Sequence, residues 1–321
     1  MVKRIAIRDA YGNALAKLGE LQNNIVVLEA DVGNSTKSIV FGEKFPERYF
    51  NVGISEINMV AMASGFALSG FNTFVNTFSV FMTTRGLDPI NSLIAYDGLN
   101  VKLAGNFCGL SDSYDGASHQ AISDIACMRS LPNMTIISPC DQIETEKAVF
   151  ACGKYDGPVY IRLSRSTNQI VFDEAYEYEI GKGVVMKQGT DITIIATGYM
   201  VQKALAAASL LEADGINAQV INIHTIKPLD EQLIISCAKQ TGAILTVEEH
   251  SVFGGLGSAV SEVLSQHYPT PMRIMGLTGY AESGAYEELL SKYQLDENAI
   301  YKNVMALLNS KTKYKYRLFF D

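Results

Sequence analysis

Short apolar runs alternate with longer mixed ones along most of the chain. Residues 24–29 (Asn-Ile-Val-Val-Leu-Glu), 100–104, 135–138 and 159–163 have strand length, are mostly apolar and lie between turn-forming stretches. Such runs predict strands of a parallel sheet covered on both faces. Residues 9–22 and 141–152 read as helices between them. The alternation predicts a doubly wound α/β layer. It loosens after Leu163, passes through the polar string Asp173-Glu174-Ala175-Tyr176-Glu177-Tyr178-Glu179, and restarts abruptly at Asp191. A second unit follows, with strands at 191–198, 218–223 and 243–247 and helices at 200–214 and after Pro228. The chain is therefore expected to form two doubly wound, mostly parallel α/β domains. Residues 1–180 make the first, linker included, and residues 181–321 the second.

The longest uncharged stretch, residues 57–84, is long enough to span a bilayer. Its interior argues for two soluble elements instead. Residues 59–68 are Ala- and Met-rich, Ser69-Gly70 breaks the run, and residues 71–78 resume with Phe, Thr and Val. A buried helix followed by a buried strand is expected, with no membrane span.

Size and charge narrow the class. At 321 residues the chain exceeds what one hydrophobic core usually supports. A net charge of −8 argues against a nucleic-acid surface, which would need a basic patch. Five cysteines without metal-ligand spacing read as buried thiols of a reducing compartment. Charges at Lys3, Arg4, Arg8 and Asp9 leave no room for the apolar stretch of a signal peptide, so a cytoplasmic protein is expected.

Two motifs carry candidate chemistry. Asp115-Gly116-Ala117-Ser118-His119-Gln120 puts a carboxylate and one of four histidines on one glycine-bearing loop, where protons can move near neutral pH. Asn51-Val52-Gly53-Ile54-Ser55-Glu56 ends a strand-like run in a lone Glu, after which no charge appears until Arg85. That Glu is either a helix N-terminal residue or a group kept dry. Gly254-Gly255-Leu256-Gly257 invites a phosphate-loop reading, but it lacks the dinucleotide fingerprint and a Walker lysine, and tight loop-to-helix packing is expected. Lys227-Pro228-Leu229-Asp230 suits a helix with Pro in its first turn. His250 reads as a loop residue.

The motifs taken in order form a set. Asn51 to Glu56, Thr77-Phe78-Ser79-Val80-Phe81, Asp115 to Gln120, Arg129-Ser130-Leu131-Pro132-Asn133 and Leu163-Ser164-Arg165 together resemble the pyrimidine-binding half of transketolase. The second unit is similar to the transketolase C-terminal domain. The resemblance implies a two-carbon ketol transfer from a ketose, or its phosphate, to an aldose, with thiamine diphosphate and Mg²⁺. It also implies a partner. The family holds Mg²⁺ through a Gly-Asp-Gly motif and a later Asn in an N-terminal domain, and neither Tyr96-Asp97-Gly98-Leu99-Asn100 nor Ala213-Asp214-Gly215-Ile216-Asn217 fits. The chain thus resembles the C-terminal subunit of a split transketolase. In this reading an N-terminal subunit supplies the metal and diphosphate site, in an α2β2 heterotetramer.

Site residues carry over by the same resemblance. Glu56 would bond N1′ of the aminopyrimidine and favour its imino tautomer, which deprotonates C2 of the thiazolium. Phe78 and Phe81 would stack on the pyrimidine, and Asp31 would lie near the cofactor at the subunit interface. His119 and Asp115 would meet the donor's hydroxyls, with His119 catalytic. Arg8, Ser35 and Arg165 would bind the sugar phosphate. One departure points to an unusual sugar: Gly105-Asn106-Phe107-Cys108-Gly109 has no His where family members usually carry one. Rival resemblances are the β subunit of a 2-oxo-acid dehydrogenase, a deoxyxylulose-phosphate-synthase-like enzyme, and a non-catalytic scaffold subunit. The basic, aromatic tail, residues 311–321, reads as a partner contact or a disordered end.

Overall fold

The computed structural model describes residues 5–317, with side chains to residue 310; the tail expectation falls on side chains outside the described residues. Strands β1 (Ile25–Glu29), β2 (Tyr49–Asn51), β3 (Asn72–Phe78), β4 (Val101–Asn106), β5 (Thr135–Ile137) and β6 (Val159–Leu163) belong to a first sheet. A second unit supplies β7 (Val184–Lys187), β8 (Ile192–Ala196), β9 (Ala218–Asn222), β10 (Thr225–Lys227), β11 (Ile244–Ser251) and β12 (Met272–Leu277). The sheets run β10-β5-β6-β4-β3-β1-β2 and β12-β11-β8-β9-β7. Only β10 and β7 are antiparallel to their neighbours. Every residue of β1, β4, β5, β6, β8 and β9 is buried, which is why these strands read as mostly apolar runs. The fold is two mostly parallel α/β units, as the alternation predicts.

Within the charge-free stretch, the helix Glu56–Leu68 turns at Ser69-Gly70 into β3. It begins three residues earlier than its apolar composition suggests, because Glu56 itself is the first helical residue. No helix among the described residues is long and apolar enough to cross a membrane.

Three local expectations are corrected. The short strand β10 escaped the sequence reading, and it leaves the second unit to pair with β5 of the first sheet. Pro228 is not in a first helical turn: it follows a cis peptide bond, and the helix Glu231–Thr241 starts only after Asp230, whose side chain accepts from the Leu233 N–H at 3.1 Å. His250 is not a loop residue. It lies in β11, fully buried, with Nδ1 2.8 Å from the Ser251 carbonyl and Nε2 accepting from the Ala126 N–H at 3.3 Å.

The glycines before the helix Leu256–His267 are explained by their neighbour Glu248. Its buried carboxylate accepts from the Leu256 and Gly257 N–H groups at 2.7 and 2.8 Å. A Cβ on Gly255 would lie 2.1 Å from Glu248 Oε2. The helix start is thus already occupied by a carboxyl group of the chain's own.

The two units are joined by buried polar bonds. The Arg162 guanidinium grips Asp124 at 2.7 Å and donates to the Glu249 carbonyl at 2.7 Å. Glu249 also accepts from the Leu110 N–H and, at 2.8 Å, from the Tyr286 hydroxyl. Burial pushes the Glu249 carboxyl up to about 7. Glu144, bonded to Asn222 at 2.8 Å and Tyr176 at 3.1 Å, is likewise pushed up to about 7.

His224, at the entry to β10, pulls the other way. It is buried against the Tyr178 ring at 4.2 Å, and burial, opposed weakly by Asp230, lowers it to about 4. Between pH 6.5 and 4 the unfolded chain binds a proton that the native His224 refuses, so its contribution is present above 6.5 and is lost on acidification. We expect the wild type to lose up to about 3 kcal/mol more stability than His224→Gln over this window. Glu144 and Glu249, whose raised values make stability fall as pH rises from 4.5 to 7, are common to both proteins and cancel in the comparison. Parallel pH-dependent denaturation curves for the two would contradict it.

Candidate active site

The chain order of the first sheet reverses between β1 and β3: the chain steps from β1 outward to β2, then crosses back to β3. A doubly wound sheet opens a crevice at the carboxyl ends of its strands at such a point. The residues just past these ends are Asp31 after β1, Glu56 after β2, the Phe78 terminus of β3, Phe107 after β4, and Arg165 after β6. Strands β6, β4, β3 and β1 are adjacent, so side chains far apart in the chain meet along one rim.

Aromatic rings form the floor. Phe78 and Phe81 lie 5.8 Å apart and nearly parallel, at 22°. The His119 ring stands edge-on to Phe81 at 5.3 Å and to Phe78 at 6.2 Å. His119 Nδ1 is 2.9 Å from the Ser118 hydroxyl. Glu56 is only 5% exposed, and its Oε1 accepts from Arg85 at 2.8 Å. The Arg85 guanidinium lies over the Phe81 ring at 4.1 Å, so the carboxylate and the rings share one cluster. Glu56 is held there by the loop before it. Asn51 accepts from the Gly53 N–H at 2.9 Å and donates to Asp31 at 3.0 Å, and Gly53 takes the left-handed conformation (φ 74°).

The Asp115–His119 loop is set by both domains. Gly116 is left-handed (φ 75°) and packs on Ser283, whose hydroxyl donates to the Tyr114 carbonyl. Gln120 donates to the Glu282 carbonyl at 3.1 Å, and Gly284 to the Ser113 carbonyl at 3.1 Å.

A cationic group flanks the rings. Ile7 bonds to the Ser166 carbonyl at 3.4 Å, which brings Arg8 beside Arg165. Both guanidiniums lie over the Phe107 ring, at 5.4 and 5.2 Å, and Phe107 in turn packs on Phe78 at 4.4 Å. Arg165 is ion-paired with buried Asp112 at 2.9 Å.

The sequence-chosen residues therefore form one connected cluster for Glu56, Phe78, Phe81, His119, Arg8 and Arg165. Asp31 stands apart on the exposed rim, left-handed (φ 61°) and bonded to Asn51. Ser35 meets Arg8 through its backbone carbonyl at 3.2 Å, not its hydroxyl. Asp115 is exposed and faces Asp112. Three participants were missed. Arg85 was visible only as the first charge after the apolar stretch, Phe107 only as the absent imidazole, and Asp112 carried no signal.

A flat heteroaromatic ring fits this donor set, since near-parallel aromatic faces are joined through Arg85 to a nearly dry carboxylate that can bond a ring nitrogen. Among the described residues no group of three or more His, Cys, Asp or Glu could hold a metal ion.

Two doubly wound sheets with such a cleft at the strand carboxyl ends place the chain among α/β proteins that bind ligands at a topological switch. Residues 3–169 match the transketolase pyrimidine-binding domain and residues 181–300 the transketolase C-terminal domain. The chain is 42% identical over 303 residues to a putative transketolase C-terminal section of Methanocaldococcus jannaschii, covering 93% of this chain and 95% of that one. It is 37% identical to a 6-deoxy-6-sulfo-D-fructose transketolase subunit of Clostridium sp. (strain MSTE9), covering 92% of each. A solved structure of a split-gene transketolase, an inactive β4 tetramer, superposes with a TM-score of 0.90 at 45% identity, covering 95% of this chain and 99% of that one. The chain belongs to the transketolase family, whose members normally use thiamine diphosphate and a divalent metal.

Proposed function

We propose that this chain is the C-terminal subunit of a cytoplasmic split transketolase, transferring a two-carbon ketol unit from a ketose to an aldose. The observation that carries the reading is the union of Glu56, Arg85, Phe81, Phe78 and His119 in one cluster at the β1/β3 reversal. When bound, thiamine diphosphate supplies a thiazolium carbon that carries the ketol unit. Phe78 and Phe81 would bind the aminopyrimidine by stacking, and the Glu56 carboxylate would hold a proton at its ring nitrogen. Arg85 keeps that carboxylate aimed at the ring cluster. Asp31, on the rim, would face the cofactor at the subunit boundary.

His119, edge-on to the rings, would donate to or accept from a donor hydroxyl through Nε2, with Asp115 on the neighbouring hydroxyl. Arg8, Ser35 and Arg165 would receive the far end of the sugar, phosphorylated or not. The sulfofructose relative supports a family in which that end group varies. Residues 1–180 would form the pyrimidine-binding domain and residues 181–321 the C-terminal one.

The Mg²⁺ and diphosphate site would come from an N-terminal transketolase subunit, in an α2β2 assembly. The inactive β4 tetramer of the split-gene neighbour supports this partner requirement. To test the function, the chain is combined with an N-terminal transketolase section, thiamine diphosphate and Mg²⁺, and a panel of ketose donors and aldose acceptors is followed by mass spectrometry. Acceptors lengthened by two carbons are expected. Decarboxylation of 2-oxo acids without any two-carbon transfer would overturn the reading in favour of a 2-oxo-acid dehydrogenase subunit.

A further inference from the structure

We propose that Asp112 sets the charge of the sugar end group this site accepts, so that the preferred substrate ends in a hydroxyl or a single negative charge and not in a phosphate. The proposal rests on the reading of Arg165 and Arg8 as end-group contacts.

The geometry is specific. Asp112 is fully buried, while the side chain of Arg165 is 41% exposed, so the pair is anchored from the acid side and opens toward solvent on the arginine side. Asp112 Oδ1 accepts from Arg165 at 2.9 Å, and Oδ2 is buried with no hydrogen-bond donor. Arg8 Nε is buried with no acceptor. The cluster thus holds an unmatched acceptor and an unmatched donor. A terminal hydroxyl can both donate to a carboxylate and accept from a guanidinium, whereas a phosphate offers acceptors almost exclusively.

The charge balance points the same way. Arg165 is paired with the Asp112 carboxyl, and Asp115 lies beside Asp112, so the cluster carries less positive charge than two free arginines would offer. A phosphate monoester carries about −1.5 to −2 at neutral pH. It would have to share Arg165 with a carboxylate that burial forbids to swing away. Burial and the Asp115 carboxyl beside it push Asp112 up, opposed by the Arg165 guanidinium.

The loop is tied to its neighbours on both sides of Asp112. Phe107 adopts a left-handed backbone (φ 60°), and Cys108 bonds to the Leu163 carbonyl at 3.1 Å. Arg165 N–H donates to the Ser111 hydroxyl at 3.2 Å, one residue before Asp112.

The test compares each aldose acceptor with its terminal phosphate ester in the complex assembled with the N-terminal section, as the ratio of the two kcat/KM values. Removing the carboxylate charge in Asp112→Asn, or the side chain in Asp112→Ala, is expected to move that ratio about tenfold toward the ester, the scale of one charge-assisted hydrogen bond. Calorimetric titration of inorganic phosphate into the full chain gives a second readout, with binding gained in both Asp112 variants and lost again when Arg165→Ala is added. Circular dichroism confirms that the variants are folded. If Arg165→Ala changes the ratio but neither Asp112 variant does, the role of Asp112 is overturned while Arg165 keeps its own. If Arg165→Ala leaves the ratio untouched, the reading of Arg165 as an end-group contact fails and takes the proposal with it.

Discussion

In the assembled enzyme, Glu56→Gln is expected to slow exchange of the thiazolium C2 proton of bound thiamine diphosphate by about 10²–10⁴-fold, the usual worth of a positioned acid or base. Ketol transfer should fall with it. A purely structural Glu56 would behave differently. As a charge in the first turn of the helix Glu56–Leu68 it would contribute only about 0.3–1 kcal/mol of stability. Its partner Arg85 is 49% exposed, so loss of the ion pair leaves no buried charge behind. The two roles are therefore separable by one pair of measurements, deuterium exchange at C2 and thermal unfolding. Wild-type exchange in Glu56→Gln would rule out the assignment, whatever happens to stability.

The chain on its own is expected to show no ketol transfer and to bind thiamine diphosphate weakly and without dependence on Mg²⁺. Among the described residues, the carboxylates and histidines form no metal cluster, while Phe78, Phe81, Arg85 and Glu56 are joined in one cluster that would receive the aminopyrimidine. Half of the cofactor would have a site and the charged half would not. Isothermal titration with and without Mg²⁺, then again after adding an N-terminal transketolase section, separates the cases. Tight, Mg²⁺-dependent binding to the isolated chain would mean that the diphosphate site lies on this polypeptide after all.

Much of this protein could be read from its residues in a line. Buried parallel strands announce themselves as mostly apolar runs, as in Ile25–Glu29 and Val159–Leu163, because both of their faces are covered; the charged exceptions, Glu29 and Arg162, are buried with hydrogen-bonded partners. The lone Glu56 before a long uncharged stretch, and the acid and imidazole on the Asp115–His119 loop, stood out because ionisable groups are rare there. These signals are local, so sequence by itself determined the fold class, the two units and most of the candidate residues.

What it could not determine was adjacency. Strand order differs from chain order, so only the folded sheet brings the ends of β6, β4, β3 and β1 together and sets Arg165 beside Phe107, and Phe107 beside Phe78. Asp112 looked like any loop acid until its burial against Arg165 appeared, 53 residues away in the chain. His250 looked like a loop residue because Glu248 and Glu249 precede it. Those acids are buried through partners on distant segments, the helix start at Leu256 and the hydroxyl of Tyr286. The strand β10 was too short to be seen, and its place is decided by pairing with β5 across the domain boundary. Periodicity reports which side of an element is covered, but the identity of the covering group is a property of the tertiary structure alone, because it depends on contacts between segments that the chain keeps apart.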